Sequence, residues 1–239
     1  MLVSRPVAFL VGTLSRHRIR NYDLTFETSN PAISPKVEAQ LFWRLYEGAE
    51  IRMAREHLVG TETLIDLGSS LGFTAAHVLA RMPSTGRLIA VEANPSLIPV
   101  LRENLTTHAC GREVRVIHAA IHYGPDTRAH LVVGGSTVGS RLGTEGVEVP
   151  VTTLSDIVSV HDVGTFALLS DIEGAEAALI LDDPALSRCT KMVIELHATT
   201  YQREDISVGR LHAALLARGF VTLSQRGPVF AMERRASPL

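Results

Sequence analysis

The sequence predicts an α/β fold: a doubly wound, largely parallel sheet with helices on both faces. Three observations carry this. Short apolar runs alternate with helix-length amphipathic stretches along most of the chain. The stretch from Thr63 to Asn94 reads as strand, glycine turn, helix, strand and acid, which is one βαβ unit. The apolar runs lead into a polar set, namely Asp66, Glu92, His118, Asp171, Glu195 and His197. Ligands of open α/β sheets gather at the carboxyl ends of the strands, where that set falls.

The elements follow in order. Residues 1–33 show no clear period and hold Pro6, Gly12, Asn30 and Pro31. They are expected to form an arm that closes over the site or pairs with another subunit. Ser34-Pro35 starts a helix, with proline at its first position. Val37, Leu41 and Leu45, then Ile51, Met53 and Leu58, keep helical spacing around a break at Gly48. Phe42 and Trp43 are expected in the core. Leu64 to Leu67 is the first strand of the sheet, and Leu88 to Val91 the second. A helix runs through Leu97, Val100, Leu101 and Leu105 and closes at Gly111. Val114 to Ile117 is the third strand. Arg128 to Val133 and Gly146 to Val151 alternate as an antiparallel pair around the polar loop Gly134 to Ser140, a place for substrate contacts. A short helix from Leu154 to Val160 precedes the strand Phe166 to Leu169. A helix from Ala175 to Leu181, the strand Met192 to Ile194 and a helix from Leu211 to Ala217 come next. A terminal hairpin pairs Gly219 to Leu223 with Val229 to Met232.

Composition bounds the function. The 239 residues suit one α/β domain with an appended segment, divided here as 1–60, arm and covering helices, and 61–239, the main domain. Lys and Arg number 23 against 25 Asp and Glu, so charge makes no case for nucleic acid as a partner. No stretch reaches the roughly 18 apolar residues of a membrane span, and no membrane partner is expected. Val7 to Leu14 is short and leads into Arg16-His17-Arg18-Ile19-Arg20 without a cleavage site. That basic cluster reads as a solvated face or as a lid over a polar substrate. Cys110 and Cys189 lack metal spacing and fit a reduced, cytoplasmic protein.

The turn itself limits the ligand. Gly68 and Gly72 let backbone run close to a bound molecule, and Glu92, 20 residues after Gly72, can accept bonds from two ribose hydroxyls. The pattern D-x-G-x-x-x-G lacks the glycines that cradle a pyrophosphate. Asp66 would repel phosphate and suits a ligand with positive charge, such as the amino-acid end of S-adenosylmethionine. The cofactor set is therefore Asp66, Gly68, Ser69, Gly72 and Glu92, with Ala119 of the His118-Ala119-Ala120 run near the adenine. Glu47 and Glu50 can meet the cofactor amino group or form a solvated helix face.

Five runs then fall in a familiar order: Asp66-Leu67-Gly68-Ser69-Ser70-Leu71-Gly72, Glu92-Ala93-Asn94-Pro95, Val149-Pro150-Val151-Thr152-Thr153-Leu154, Asp171-Ile172-Glu173-Gly174-Ala175-Glu176 and Glu195-Leu196-His197. From about Thr61 to His197 the chain resembles the FkbM-type methyltransferases. The resemblance implies a class I methyltransferase, Rossmann-like sheet of order 3-2-1-4-5-7-6 with its last strand antiparallel. It implies S-adenosylmethionine as methyl donor and a hydroxyl of a sugar or polyketide-like small molecule as acceptor. Ser170 stands where that family usually has lysine.

The chemistry is expected at Asp171, Glu173 and His197, beside Glu195. An aliphatic hydroxyl needs its proton removed as it attacks, by a positioned base or through a metal ion. His197 or Asp171 can act as base with Glu173 orienting the hydroxyl; no residue is assigned to a metal, with Mg²⁺ or Mn²⁺ as an open alternative. The bland reading has Glu173 capping the next helix and His197 bonding a loop. The expected partner is a small hydroxylated molecule, with a homodimer possible. The alternatives are a nicotinamide-dependent oxidoreductase and a cofactor-binding module without turnover.

Overall fold

In the computed structural model, residues 3–133, 140–143 and 145–235 are described. Of the predicted loop Gly134 to Ser140, residues 134–139 lie outside them. Seven strands form the main sheet: β1 Thr63–Leu67, β2 Arg87–Glu92, β3 Glu113–His118, β4 Phe166–Ser170, β5 Cys189–Glu195, β6 Phe220–Arg226 and β7 Val229–Arg234. Their spatial order is β3-β2-β1-β4-β5-β7-β6. β7 runs antiparallel to both β5 and β6, and the other neighbours are parallel. This is the expected order, and the order of connection reverses between β1 and β4, the switch point at which open α/β sheets take their ligands.

The eight helices described are α1 Arg5–Ser15, α2 Pro35–Phe42, α3 Gly48–His57, α4 Phe73–Leu79, α5 Ile98–Ala109, α6 Leu154–Val160, α7 Glu176–Leu181 and α8 Val208–Ala217. Their placement follows from alternation along the strands. Leu64, Leu88, Ala90, Leu169 and Val193 enter one apolar cluster with residues of α2 to α5. Ile65, Leu67, Ile89, Val91, Leu168 and Ile194 enter a second with residues of α6, α7 and α8. Successive side chains point to opposite faces, so continuous apolar runs require cover on both. Local chemistry sets the helix starts: Ser34 caps α2, Ser207 caps α8, and Thr153 with Asp156 forms a capping box on α6.

Two additions lie outside the main sheet. Val147–Thr152 pairs antiparallel with Arg128–Val133, as predicted, and Ser140–Gly143 and Ala120–Ile121 extend the ribbon. Thr199–Tyr201 and Glu204–Ile206 make a small hairpin after β5 that the sequence did not suggest.

The N-terminal segment is more ordered than its lack of period implied. After α1, Arg18–Asn21 pairs with Leu24–Glu27 as a hairpin. Ile19 and Phe26 are buried and share one cluster with Leu64, Leu71 and Phe73, so residues on both sides of position 60 build the same core. Phe26 makes edge-to-face contacts with Phe73 and His108, the ring centroids 4.8 and 4.9 Å apart. The contacts that hold the segment therefore run to the helical layer of α2, α4 and α5. Deleting residues 1–20 would remove Ile19 and cost stability before it tested any closing motion.

Phe42 and Trp43 are not in the core, as the sequence suggested, but 43% and 41% exposed. α2 stops at Phe42, Arg44 turns the chain at φ 58°, and Tyr46 is buried in their place.

His77 ties the hairpin down. It is fully buried; its Nδ1 accepts from Arg55, and its Nε2–H donates to Asn21 Oδ1 at 3.0 Å. Asn21 in turn donates to the Leu41 carbonyl at 2.7 Å. Burial, then Arg55 and Arg81, lower the His77 pKa from 6.5 to about 3. The neutral ring's contribution is therefore whole above pH 6.5 and is lost as pH falls from there towards 3. Between pH 7 and 5 that loss approaches about 2 kcal/mol. Urea melts of the protein and His77→Gln across that range check it; equal pH slopes would refute the assignment.

Candidate active site

β1 ends at Leu67, and the turn after it is built against β4. Gly68 has φ 82°, and a Cβ there would lie 1.9 Å from the Asp171 carbonyl oxygen. The Asp171 N–H donates to the Leu67 carbonyl at 3.0 Å, which locks the two strand ends together. Gly72, at φ 77°, starts α4, and a Cβ there would meet Leu101 Cδ1 at 2.6 Å. At both glycines the place of a Cβ is taken by the chain itself. Their freedom from a Cβ first serves the fold.

Glu92, at the end of β2, clamps the turn. Its Oε2 accepts from the Ser70 N–H and its Oε1 from the Asn94 N–H, both at 2.7 Å. Each oxygen keeps a second lone pair, so acceptance from ribose hydroxyls is still open. Ser69 is buried and spends its hydroxyl on the Asp66 carbonyl at 3.1 Å. The Ala119 N–H donates to the Glu92 carbonyl at 3.1 Å, which sets Ala119 beside Glu92 at the rim. Opposite the turn, Tyr46 meets the Ser70 hydroxyl at 3.1 Å, and Glu47 accepts from Thr74 Oγ1 at 2.6 Å.

Acids converge here. Burial, opposed by hydrogen bonding and reinforced by neighbouring carboxylates, raises Asp66 to about 7 and Glu47 to about 8. Asp171 is raised to about 6, again by burial first. Glu50 on α3 is raised by burial and then by Glu195, and Glu195 at the end of β5 by burial and then by Asp171, against the lowering effect of His197 and of its hydrogen bond with Glu50. Among the described residues, no lysine or arginine stands among the main influences on these five acids.

At the β4 and β5 edge the structure brings Asp171, Glu173 and His197 together. Each offers an oxygen or nitrogen within 4.8 Å of the others, a separation one divalent ion can span. His197 Nε2 lies 4.0 Å from Asp171 Oδ1 and 3.7 Å from Glu195 Oε1. Asp171 Oδ1 is buried without a hydrogen-bond partner, and so is the Ser170 hydroxyl. Glu173 is exposed at φ 49°.

Glu176 is the residue that sequence reasoning left without a role. It is fully buried, accepts from the Gly174 N–H at 2.8 Å, and holds His197 Nδ1 at 2.7 Å. That bond, chiefly, raises His197 to about 9. The available signal was its place in the Asp-Ile-Glu-Gly-Ala-Glu run. The partner of His197 is thus Glu176 rather than a loop, and the group bonding the start of the next helix is Glu176 rather than Glu173.

A family model described as the methyltransferase FkbM domain matches residues 65–222. No curated protein matches the chain. Among solved structures, a methyltransferase from Geobacter sulfurreducens is similar at 12% identity and TM-score 0.46, over 98% of this chain and 90% of that one. The ribosomal protein L11 methylase of Lactobacillus delbrueckii subsp. bulgaricus is 14% identical at TM-score 0.45, over 80% of each chain. Precorrin-6y C5,15-methyltransferase of Geobacter metallireducens is 14% identical at TM-score 0.43, over 78% and 84%.

Proposed function

Because the chain belongs to the methyltransferase FkbM family, we propose that it is an S-adenosylmethionine-dependent O-methyltransferase acting on a hydroxyl of a small, sugar- or polyketide-like molecule. The observation that carries the reading is the cluster of acids between the Gly68 turn and the ends of β4 and β5. Five carboxyl groups with raised pKa values gather there, from the start of α3, from β1 and from the ends of β4 and β5, and such a site favours a ligand bearing positive charge. S-adenosylmethionine supplies a methyl on a sulfonium and carries an ammonium as well. Glu92 would accept from its ribose hydroxyls, and Glu47, Glu50 and Asp66 would meet its cationic end. The family match supports this over a nicotinamide-dependent reading.

At the other edge Asp171 holds an oxygen free to take a hydroxyl proton. His197, with its proton held by Glu176, donates to the acceptor oxygen or to Asp171 more readily than it takes a proton near neutral pH. Glu173, exposed at the rim, orients the acceptor. The same Asp171, Glu173 and His197 would hold a divalent ion if one is used. Methyl transfer is an in-line displacement, so holding oxygen and methyl in line supplies much of the rate.

The test is calorimetry with S-adenosylmethionine across pH. A bound cation favours ionised carboxyls, so binding lowers the raised pKa values of Asp66 and Glu47 and releases protons. Affinity should rise as pH passes through 7 and 8, and buffers of different ionisation heat should show proton release at pH 7. A flat affinity without proton release would overturn the cation-site reading. Methyl transfer to a panel of hydroxylated sugars and polyketide-like alcohols then tests the acceptor class.

A further inference from the structure

The N-terminal helix presents a surface that the proposed reaction does not use. α1 packs on α2 through small residues: Ala8 and Gly12 are buried, and a Cβ on Gly12 would come within 2.5 Å of the Glu38 carboxylate. That contact fixes which side of α1 faces inward. On the other side Phe9, Leu10 and Leu14 are 71%, 54% and 80% exposed. With Pro6 and Thr13 they form one continuous stripe at helical spacing. Soluble chains seldom leave a contiguous apolar stripe uncovered unless something docks there.

Charge names the occupant. Residues 1–22 contain Arg5, Arg16, Arg18 and Arg20 and no acid. All four arginines are exposed, and among the described residues none of them forms an ion pair. Arg18 lies across the hairpin from Glu27 without pairing to it. A second copy docked through this segment would bring eight arginines, four from each copy, together against the Glu27 of each copy, since Asp23 is already held by Arg55 and Arg81. An anionic lipid surface satisfies both halves of the pattern, apolar stripe and free cations.

We infer that α1 is an interfacial helix: Phe9, Leu10 and Leu14 enter the headgroup region of an anionic bilayer, and Arg5, Arg16, Arg18 and Arg20 bind its headgroups. No helix among the described residues is long and apolar enough to cross a membrane, and α1 has only 11 residues. The mode is adsorption, which the sequence argument against a span did not address. It stands independently of the methyltransferase reading.

The test is flotation of the full chain with vesicles of phosphatidylglycerol and phosphatidylcholine, or of phosphatidylcholine alone. The chain should float with the anionic vesicles only, and less as salt rises. Partition should fall on the order of tenfold or more in Arg16→Glu/Arg18→Glu and in Phe9→Ser/Leu14→Ser, with unchanged melting temperatures. Absence of flotation, equal flotation with both vesicles, or wild-type partition in both variants would overturn it. So would a dimer in light scattering that Phe9→Ser/Leu14→Ser dissociates, which would give the stripe to a second copy.

Discussion

Asp171→Ala is expected to lower methyl transfer by roughly 10²–10⁴-fold, with S-adenosylmethionine affinity and melting temperature little changed. Asp171 follows β4 beside the crevice, and its Oδ1 is buried without a partner. A buried carboxylate oxygen left unpaired is costly, and an acceptor hydroxyl would relieve that cost while its proton is drawn off. Burial keeps the group titrating at about 6, close to the range in which a general base works well. The backbone of Asp171 closes the Gly68 turn, and alanine keeps that backbone. Turnover, cofactor calorimetry and melting temperature of the variant are measured together, before and after exhaustive EDTA with Mg²⁺ or Mn²⁺ added back. Chelator-resistant turnover would remove the metal from Asp171, Glu173 and His197 and leave proton transfer. Near-normal turnover in Asp171→Ala would sink the assignment of chemistry to this edge.

Gly68→Ala should damage both fold and site. Its φ of 82° disfavours any L side chain, and the new Cβ would lie 1.9 Å from a backbone oxygen that cannot rotate away. Left-handed strain of about 1–2 kcal/mol and overpacking of about 1–3 kcal/mol together predict a loss near 3–4 kcal/mol. The relief available is movement of the Asp171 loop, so folded molecules should also lose cofactor affinity and turnover. Chemical denaturation and calorimetry check this. A variant within about 1 kcal/mol of the parent would show that the two strand ends are not locked as the geometry indicates.

Much of the architecture was legible because it is written in local periodicity. The apolar runs at β1, β2, β4 and β5 are buried on both faces, so they needed no partner to be recognised. The strand order followed from the resemblance carried by five short runs. Caps such as Ser34 before Pro35 act within one turn of helix and can be read without a fold. The N-terminal hairpin left no comparable trace. It has two strands of four residues each, and its burial depends on Phe26 meeting Phe73 and His108 far along the chain.

The sequence by itself determined the layered α/β core and the approach of Asp171, Glu173 and His197 to one edge, because parallel strands with similar lengths end together. Only the tertiary structure decided what each polar group there faces. Gly68 yields its space to the Asp171 carbonyl, Glu92 spends bonds on the Ser70 and Asn94 amides, and Glu176 is buried beneath His197. Phe42 and Trp43 stay exposed because Arg44 turns the chain and Tyr46 goes inward instead. The physical reason is range. Periodicity and capping act over a few residues, whereas a hydrogen bond or a missing Cβ is settled by ångström distances between segments that only the folded chain brings together.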